Sequence, residues 1–272
     1  MRRKKYEQNE STIARRKAEG RGTGEGESYR PELEIRDVPS RGRRHRSKSR
    51  KSGRTMHLLS DVENDISLIN DDDDCVLDIR EQFPLDRQAT YRTACEMGVE
   101  HPTNRDGGLN VRTTDMLIIR SDSGTRRLVA TAVKFDKKLS ARDRELLEIE
   151  RRTWKKKGVE WKLLTREDVD PVLVMNIKAL RAYYDLTGVP EPYEGCFYEI
   201  SDFVLRTGNR PEDVRASDWC ESIDINYRVP IGTTLCVFKH LLAIKQIKTD
   251  LRDSTQIEHR PLSAFVFLKT NL

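Results

Sequence analysis

Four charged residues, Glu63, Asp115, Lys134 and Glu150, stand at positions where a soluble chain would ordinarily place an apolar side chain or a turn. Glu63 lies four residues after Leu59 and three before Ile66, inside the apolar stripe of a helical segment. A carboxylate facing an interior is costly unless a charge compensates it. Two compensations fit: a buried salt bridge, for example to Arg80, or a divalent metal. Asp115 opens the otherwise apolar strand DMLIIR, and Lys134 closes the next one, RLVATAVK. Antiparallel pairing across a turn at Ser121–Thr125 sets the two near each other at one sheet edge. There they form either a plain salt bridge or a metal-and-phosphate pair, the lysine neutralising charge or orienting water. Glu150 shares a helix face with Leu146, Leu147 and Trp154, with Arg151 and Arg152 as alternative partners. Together the four point to a metal-dependent hydrolytic site.

Positioning these residues requires an α/β layer. The spacing of Leu58, Leu59, Val62, Ile66 and Ile69 predicts a helix from His57 to about Asn70. An acidic turn, Asp71–Asp74, follows, then a short strand, Cys75–Arg80, stopped at Phe83-Pro84. Residues 86–110 read as loop. Strands are expected over Asp115–Arg120 and Arg127–Lys134, a long helix over Ser140–Lys157, and a strand over Trp161–Leu164. Composition shifts near Asp168–Pro171, where a second domain begins. Its helices are expected over Pro171–Leu186, Gly195–Thr207, from Pro211 to Ser222, and from Thr233 or Thr234 to Ile244. Two β-like segments, Lys245–Leu251 and Ile257–Phe267, close the chain. Three helices followed by a two-stranded ribbon suggest a winged helix-turn-helix. Residues 1–55 read as irregular. The glycines at 20, 22, 24 and 26 are not followed by GKS or GKT, so a flexible loop is favoured over a phosphate-binding loop.

The chain has 272 residues and a formal net charge of +5. It contains no apolar run long enough to cross a membrane, and MRRKKYEQNE lacks the apolar core of a secretory signal. Five scattered cysteines without CxxC spacing argue for reduced thiols in a cytoplasm and against zinc or a disulfide framework. The net charge hides an asymmetry: residues 1–55 carry 18 basic and 8 acidic residues, a net of +10, and the remainder is acidic. Eight of the fourteen residues in Arg41–Arg54 are cationic: Arg41, Arg43, Arg44, Arg46, Lys48, Arg50, Lys51 and Arg54. On charge alone, a polyanion contact and a solvated tail are equally good readings.

The segments IARRKAEGRG, HLLSDVE, VLDIREQFPL, TTDMLI, AVK and LEIERRTW occur in order between Ile13 and Trp161. They resemble the TnsA transposon endonucleases, one subunit of a heteromeric cut-and-paste transposase. The resemblance implies a restriction-endonuclease-like mixed sheet flanked by helices, followed by a C-terminal winged-helix domain. It divides the chain into a basic segment, 1–55, leading into the nuclease; a catalytic domain, 56–168; and a winged-helix domain, 169–272, with a partner-docking tail. It implies hydrolysis of the 5′ strand at each transposon end, in a bacterial cytoplasm. The partners are a DDE-type recombinase subunit, TnsB, which processes the 3′ ends, and an ATPase, TnsC. By position the catalytic residues fall on Glu63, Asp115 and Lys134, and the further helix carboxylate on Glu150.

One position departs. The motif usually has Glu, Asp or Gln two residues before the lysine, where this chain has Ala132. The expected ligands are then Glu63, Asp115 and the backbone carbonyl of Val133, with Glu150 acting through water. This oxygen-rich set suits magnesium, as two ions, with manganese able to substitute. Against the family background, DNA contact by the Arg41–Arg54 cluster becomes the favoured reading. The sparse cations of the last long helix (Lys239, His240 and then Lys245) favour protein interaction for much of the second domain. Ser263–Leu272 reads as a docking tail or as the edge strand of the wing. A stand-alone restriction-like nuclease and a weakened or silent assembly subunit are the competing functions.

Overall fold

A computed structural model describes residues 8–38, 42–209 and 213–268. Arg41, the Pro211 helix start and the last four residues of the tail lie outside the described residues. The chain divides into two compact units, Met1–Val169 and Asp170–Leu272. No helix among the described residues is long and apolar enough to cross a membrane.

The first unit contains, in order, α1 (Glu10–Ala18), the hairpin β1 (His45–Lys48) and β2 (Thr55–Leu58), α2 (Asp61–Asp72), β3 (Val76–Pro84), α3 (Arg87–Glu96), β4 (Thr113–Asp122), β5 (Thr125–Val133), α4 (Ala141–Lys156) and β6 (Glu160–Leu164). Strands β3, β4, β5 and β6 form one mixed sheet in that order. The first two pairings are antiparallel. The last is parallel, because α4 carries the chain back across the sheet. The β4–β5 turn is tight: Asp122 pairs with Thr125, and Ser123 and Gly124 both take positive φ, as a two-residue hairpin requires.

The strands predicted for the first unit are present, each slightly longer than expected, whereas the two β-like segments expected at the end of the chain shorten to Ile247–Lys248 and Val266–Phe267. Three other expectations change. The segment that precedes α2 is a strand through Leu58, because Ser60 caps the helix by accepting from Glu63 N. Residues 86–110 hold a ten-residue helix, α3, started by Asp86, whose side chain accepts from Ala89 N. Within residues 8–38 and 42–55 the chain is not irregular throughout. Helix α1 is fastened through Gln8 to Val111 and through Glu10 to Arg87. The buried Arg16 and Arg21 pair with Glu32 and Asp37 respectively.

The second unit contains α5 (Pro171–Arg181), α6 (Cys196–Thr207), α7 (Ala216–Tyr227), α8 (Thr233–Ala243), and a two-residue ribbon of β7 (Ile247–Lys248) and β8 (Val266–Phe267). Its core gathers Ile200, Val204, Trp219, Ile223, Phe238 and Leu241 around Phe265 and Phe267. The two phenylalanines of the C-terminal segment are therefore core residues, and Leu268 N donates to Gln246 O beside the ribbon. Asp224, fully buried, fixes the α7–α8 turn by accepting from Gly232 N, Thr234 N and Thr234 Oγ1. Lys239 lies 3.4 Å from Glu258 and over the Tyr183 ring, and the His240 ring bonds Tyr183 O, so both are engaged within the unit.

Candidate active site

Glu63 occupies the first turn of α2, where the capping pattern Ser-x-x-Glu explains its orientation. Its Oε1 accepts from Ser60 Oγ at 3.0 Å and its Oε2 from Leu59 N at 3.0 Å. The side chain is thus held on both oxygens and buried, with 6% of the residue exposed. Arg80, the alternative partner, pairs with Asp78 and Glu25 instead.

Asp115 stands where the β4–β5 ladder ends. The last pair is Met116 with Thr131, and beyond it Val133 N donates to Asp115 Oδ2 at 2.7 Å. A side-chain bond replaces the next backbone rungs and fixes the carboxylate at the sheet edge. Lys134 follows immediately, its backbone N–H held by Leu164 O of β6 at 3.0 Å. Burial pushes Glu63 up to about 7; the nearby Asp115 charge adds to this, and Lys134 opposes it. Glu63 on its helix and the Asp115–Lys134 pair expected at one sheet edge are therefore electrostatic neighbours.

Gln82, which the sequence reading passed over, completes the contact. Its Nε2 donates to Asp115 Oδ1 at 3.3 Å and to Glu63 Oε2 at 3.5 Å, while its Oε1 accepts from Thr113 Oγ1 at 3.0 Å. It is 2% exposed and has a positive φ of 48°, a strained backbone for a non-glycine residue. The available signal was a glutamine inside a strand whose neighbours are mostly buried, one residue before Phe83-Pro84.

Glu150 takes a different place. Thr114 Oγ1 donates to its Oε1 at 2.9 Å and Trp161 Nε1 at 3.1 Å, and Trp154 Nε1 in turn donates to Thr114 at 2.6 Å. Arg151 and Arg152, its alternative partners, both bind Glu148. Among the described residues no three His, Cys, Asp or Glu side chains form a group able to hold a metal. Glu63 and Asp115 share the Gln82 amide, whereas Glu150, close enough to Asp115 to feel its charge, is held by Thr114 and Trp161 between α4 and the sheet. Burial, then the charge of Asp115, raises Glu150 to about 7. A raised carboxylate keeps its proton in the folded state between about 4.5 and 7, so it makes stability fall as pH rises through that window. The contribution approaches roughly 3 kcal/mol once the folded group ionises. Glu150→Gln is expected to flatten the fall in melting temperature between pH 5 and pH 8 relative to the unsubstituted protein. An unchanged slope would refute the assignment.

The described cations of the Arg41–Arg54 cluster lie on, or just ahead of, the β1–β2 hairpin. Asp71, near the end of α2, accepts from Ser49 Oγ, Arg50 N and Lys51 N and so docks the hairpin loop on the helix that carries Glu63. Arg43, Arg46, Lys48 and Arg50 are exposed, and Lys51 is half-buried. Arg44, also exposed, donates to Ile35 O and Val38 O. Arg54 departs from the expected phosphate-facing set. Its guanidinium is bidentate to the fully buried Glu81, donates to Ile79 O, and lies over the Tyr29 ring. That arginine is a core ion pair.

The residues present suit a hard divalent cation: two carboxylates, a glutamine amide and the peptide at Val133 offer oxygen donors without thiol or imidazole. A helix glutamate, a strand aspartate and a lysine just past a strand end lie at the edge of a four-stranded mixed sheet in an α/β unit. Comparison with known families gives the class. The family described as TnsA-like endonuclease N terminal matches residues 73–166, and TnsA endonuclease C terminal matches residues 168–251. The Transposon Tn7 transposition protein TnsA of Escherichia coli is 35% identical over 245 residues, covering 90% of this chain and 88% of that protein. The chain belongs to the TnsA family of transposition endonucleases.

Proposed function

We propose that this chain hydrolyses the 5′ strand at each transposon end as the endonuclease subunit of a heteromeric transposase, using magnesium. The observation that carries this reading is the convergence of Glu63 and Asp115 beside Lys134, each carboxylate held by backbone N–H donors. Glu63 and Asp115 would hold a divalent cation, with the Val133 carbonyl as a further donor; magnesium, or manganese in its place, would supply positive charge beside the scissile phosphate and lower the pKa of the attacking water. Lys134 places its ammonium against the phosphate oxygens and stabilises the charge that develops on them. Ala132 has no donor atom in its side chain, so the position two residues before the lysine gives no side-chain ligand.

The exposed cations of the β1–β2 hairpin, Arg43, Arg46, Lys48 and Arg50, suit the DNA backbone next to the cut. The second unit, with α6, α7 and α8 ahead of a short ribbon, is read as a winged helix whose engaged cations favour protein contact over DNA. Its partners in this reading are the DDE-type recombinase TnsB and the ATPase TnsC, in a bacterial cytoplasm. The deciding experiment incubates the purified chain with transposon-end DNA, with and without TnsB, in magnesium or chelator. The expected product is a single break in the 5′ strand at the end, present only with magnesium and TnsB. Cutting without TnsB would favour a stand-alone nuclease, and DNA binding without any break an assembly subunit.

A further inference from the structure

We propose that Gln82 is a ligand of the catalytic cation: its amide bridges Glu63 and Asp115 in the metal-free protein, then turns its carbonyl oxygen onto the cation. This rests on the nuclease reading of the site and concerns how that site makes up for Ala132.

The sheet register supplies the first argument. Glu81 pairs with Met116 and Phe83 with Thr114, so Gln82 stands opposite Asp115 from β3. One step past the last β4–β5 pair, Met116 with Thr131, the residue opposite Asp115 is Ala132. Asp115 is therefore flanked by Gln82 on one side and Ala132 on the other. A polar side chain absent from one flank is present on the other. Ala132 itself is fully buried, so its methyl group offers neither a donor nor an opening.

Hydrogen-bond chemistry supplies the second. The Nε2 of Gln82 reaches both carboxylates, at 3.3 and 3.5 Å, longer than the usual 2.9 Å of an N–H···O bond. The amide therefore sits between the two oxygens without closing tightly on either, in the place a cation would take. Its far end rests on a hydroxyl, Thr113 Oγ1. A hydroxyl both donates and accepts. Rotation of the amide by half a turn exchanges Oε1 and Nε2 and keeps the Thr113 bond, with Thr113 now accepting. The carbonyl oxygen then occupies the position between Glu63 and Asp115. In the metal-free state the same amide separates two like charges.

Backbone strain supplies the third. Gln82 holds a left-handed φ of 48° inside a strand while almost fully buried. Such a conformation persists where the surroundings dictate it, and it concentrates at sites that position a side chain for function.

The test titrates Mn2+ alone into the full-length protein and reads free Mn2+ by electron paramagnetic resonance, with no DNA and no turnover. Asp115→Asn is expected to abolish binding. Gln82→Ala is expected to weaken it by about tenfold, in the range seen when a residue supporting a metal site is removed. Gln82→Glu, with a carboxylate in place of the amide, is expected to bind at least as tightly as the unsubstituted protein. Binding undiminished in Asp115→Asn would mean that the nuclease reading has failed. Loss in Asp115→Asn with equal or tighter binding in Gln82→Ala would show that the amide only competes with the cation, and would overturn the proposal alone. Should Gln82→Ala fail to fold by circular dichroism, Gln82→Glu decides: weaker Mn2+ binding than the unsubstituted protein overturns the proposal, and equal or tighter binding supports it.

Discussion

Asp115→Asn is expected to lower single-turnover cleavage at a transposon end by about a thousandfold, a barrier change of roughly 4 kcal/mol. The size follows from what the side chain does twice. One oxygen, Oδ2, accepts the Val133 N–H and holds the end of β5; the other, Oδ1, accepts from the Gln82 amide that also reaches Glu63. Asparagine retains an oxygen for the Val133 bond, so the strand end is expected to stay in place. It removes the negative charge, and with it the attraction for a divalent cation. The melting temperature is thus expected to change little, or to rise, because Asp115 also raises the energy of the ionised Glu63 and Glu150. Cleavage within tenfold of the unsubstituted protein would remove Asp115 from the catalytic site.

The second large effect concerns an arginine that belongs to the basic cluster by sequence and to the core by structure. Arg54→Ala is expected to destabilise the first unit by about 3–5 kcal/mol, the usual cost of removing one partner from a buried ion pair. Glu81 is fully buried, and losing Arg54 would leave its carboxylate with the His57 N–H but no counter-charge. Ile79 O would lose its donor, and Tyr29 the cation lying 4.9 Å from its ring centre. Against a total stability of about 5–15 kcal/mol this is a large fraction. Urea unfolding followed by hydrogen exchange at the β3 amides measures it. Arg46→Ala, on the exposed side of the hairpin, serves as the contrast: stability within about 0.5 kcal/mol of the unsubstituted protein. A loss of stability no greater for Arg54→Ala than for Arg46→Ala would return Arg54 to the phosphate-facing group.

The central strands were legible in the sequence because each carries its own signal. DMLIIR and RLVATAVK alternate or run apolar, and the Ser-Gly pair between them marks a two-residue turn. Helix α4 was legible from the periodicity of Leu146, Leu147, Glu150 and Trp154. Helix α3 was not, because its buried face consists of Thr90, Thr93 and Ala94, which an apolar pattern does not detect. The N-terminal segment was obscured for another reason: its fastenings join Gln8 to Val111 and Tyr29 to Glu81 across long stretches of chain. Local composition carries no trace of them. At the site, Glu63, Asp115 and Lys134 could be singled out because each charge interrupts an apolar pattern. Gln82 and Thr113 carry no charge, and their roles depend on the register between β3 and β4. Arg54 misled for the opposite reason: a cation within a cationic run gives no sign that it faces inward.

Helix α2 behaves like a short beam clamped at both ends. At one end, Ser60 and Leu59 grip Glu63; at the other, Asp71 grips the hairpin loop through Ser49, Arg50 and Lys51. Glu63 and Asp71, eight residues apart on that helix, therefore set the spacing between the proposed catalytic carboxylate and a surface of exposed cations. A rigid spacer of this kind makes the distance from hairpin to site a fixed ruler. On the proposed reading, the number of nucleotides between the backbone held by these cations and the bond that is cut is set by the length of one helix.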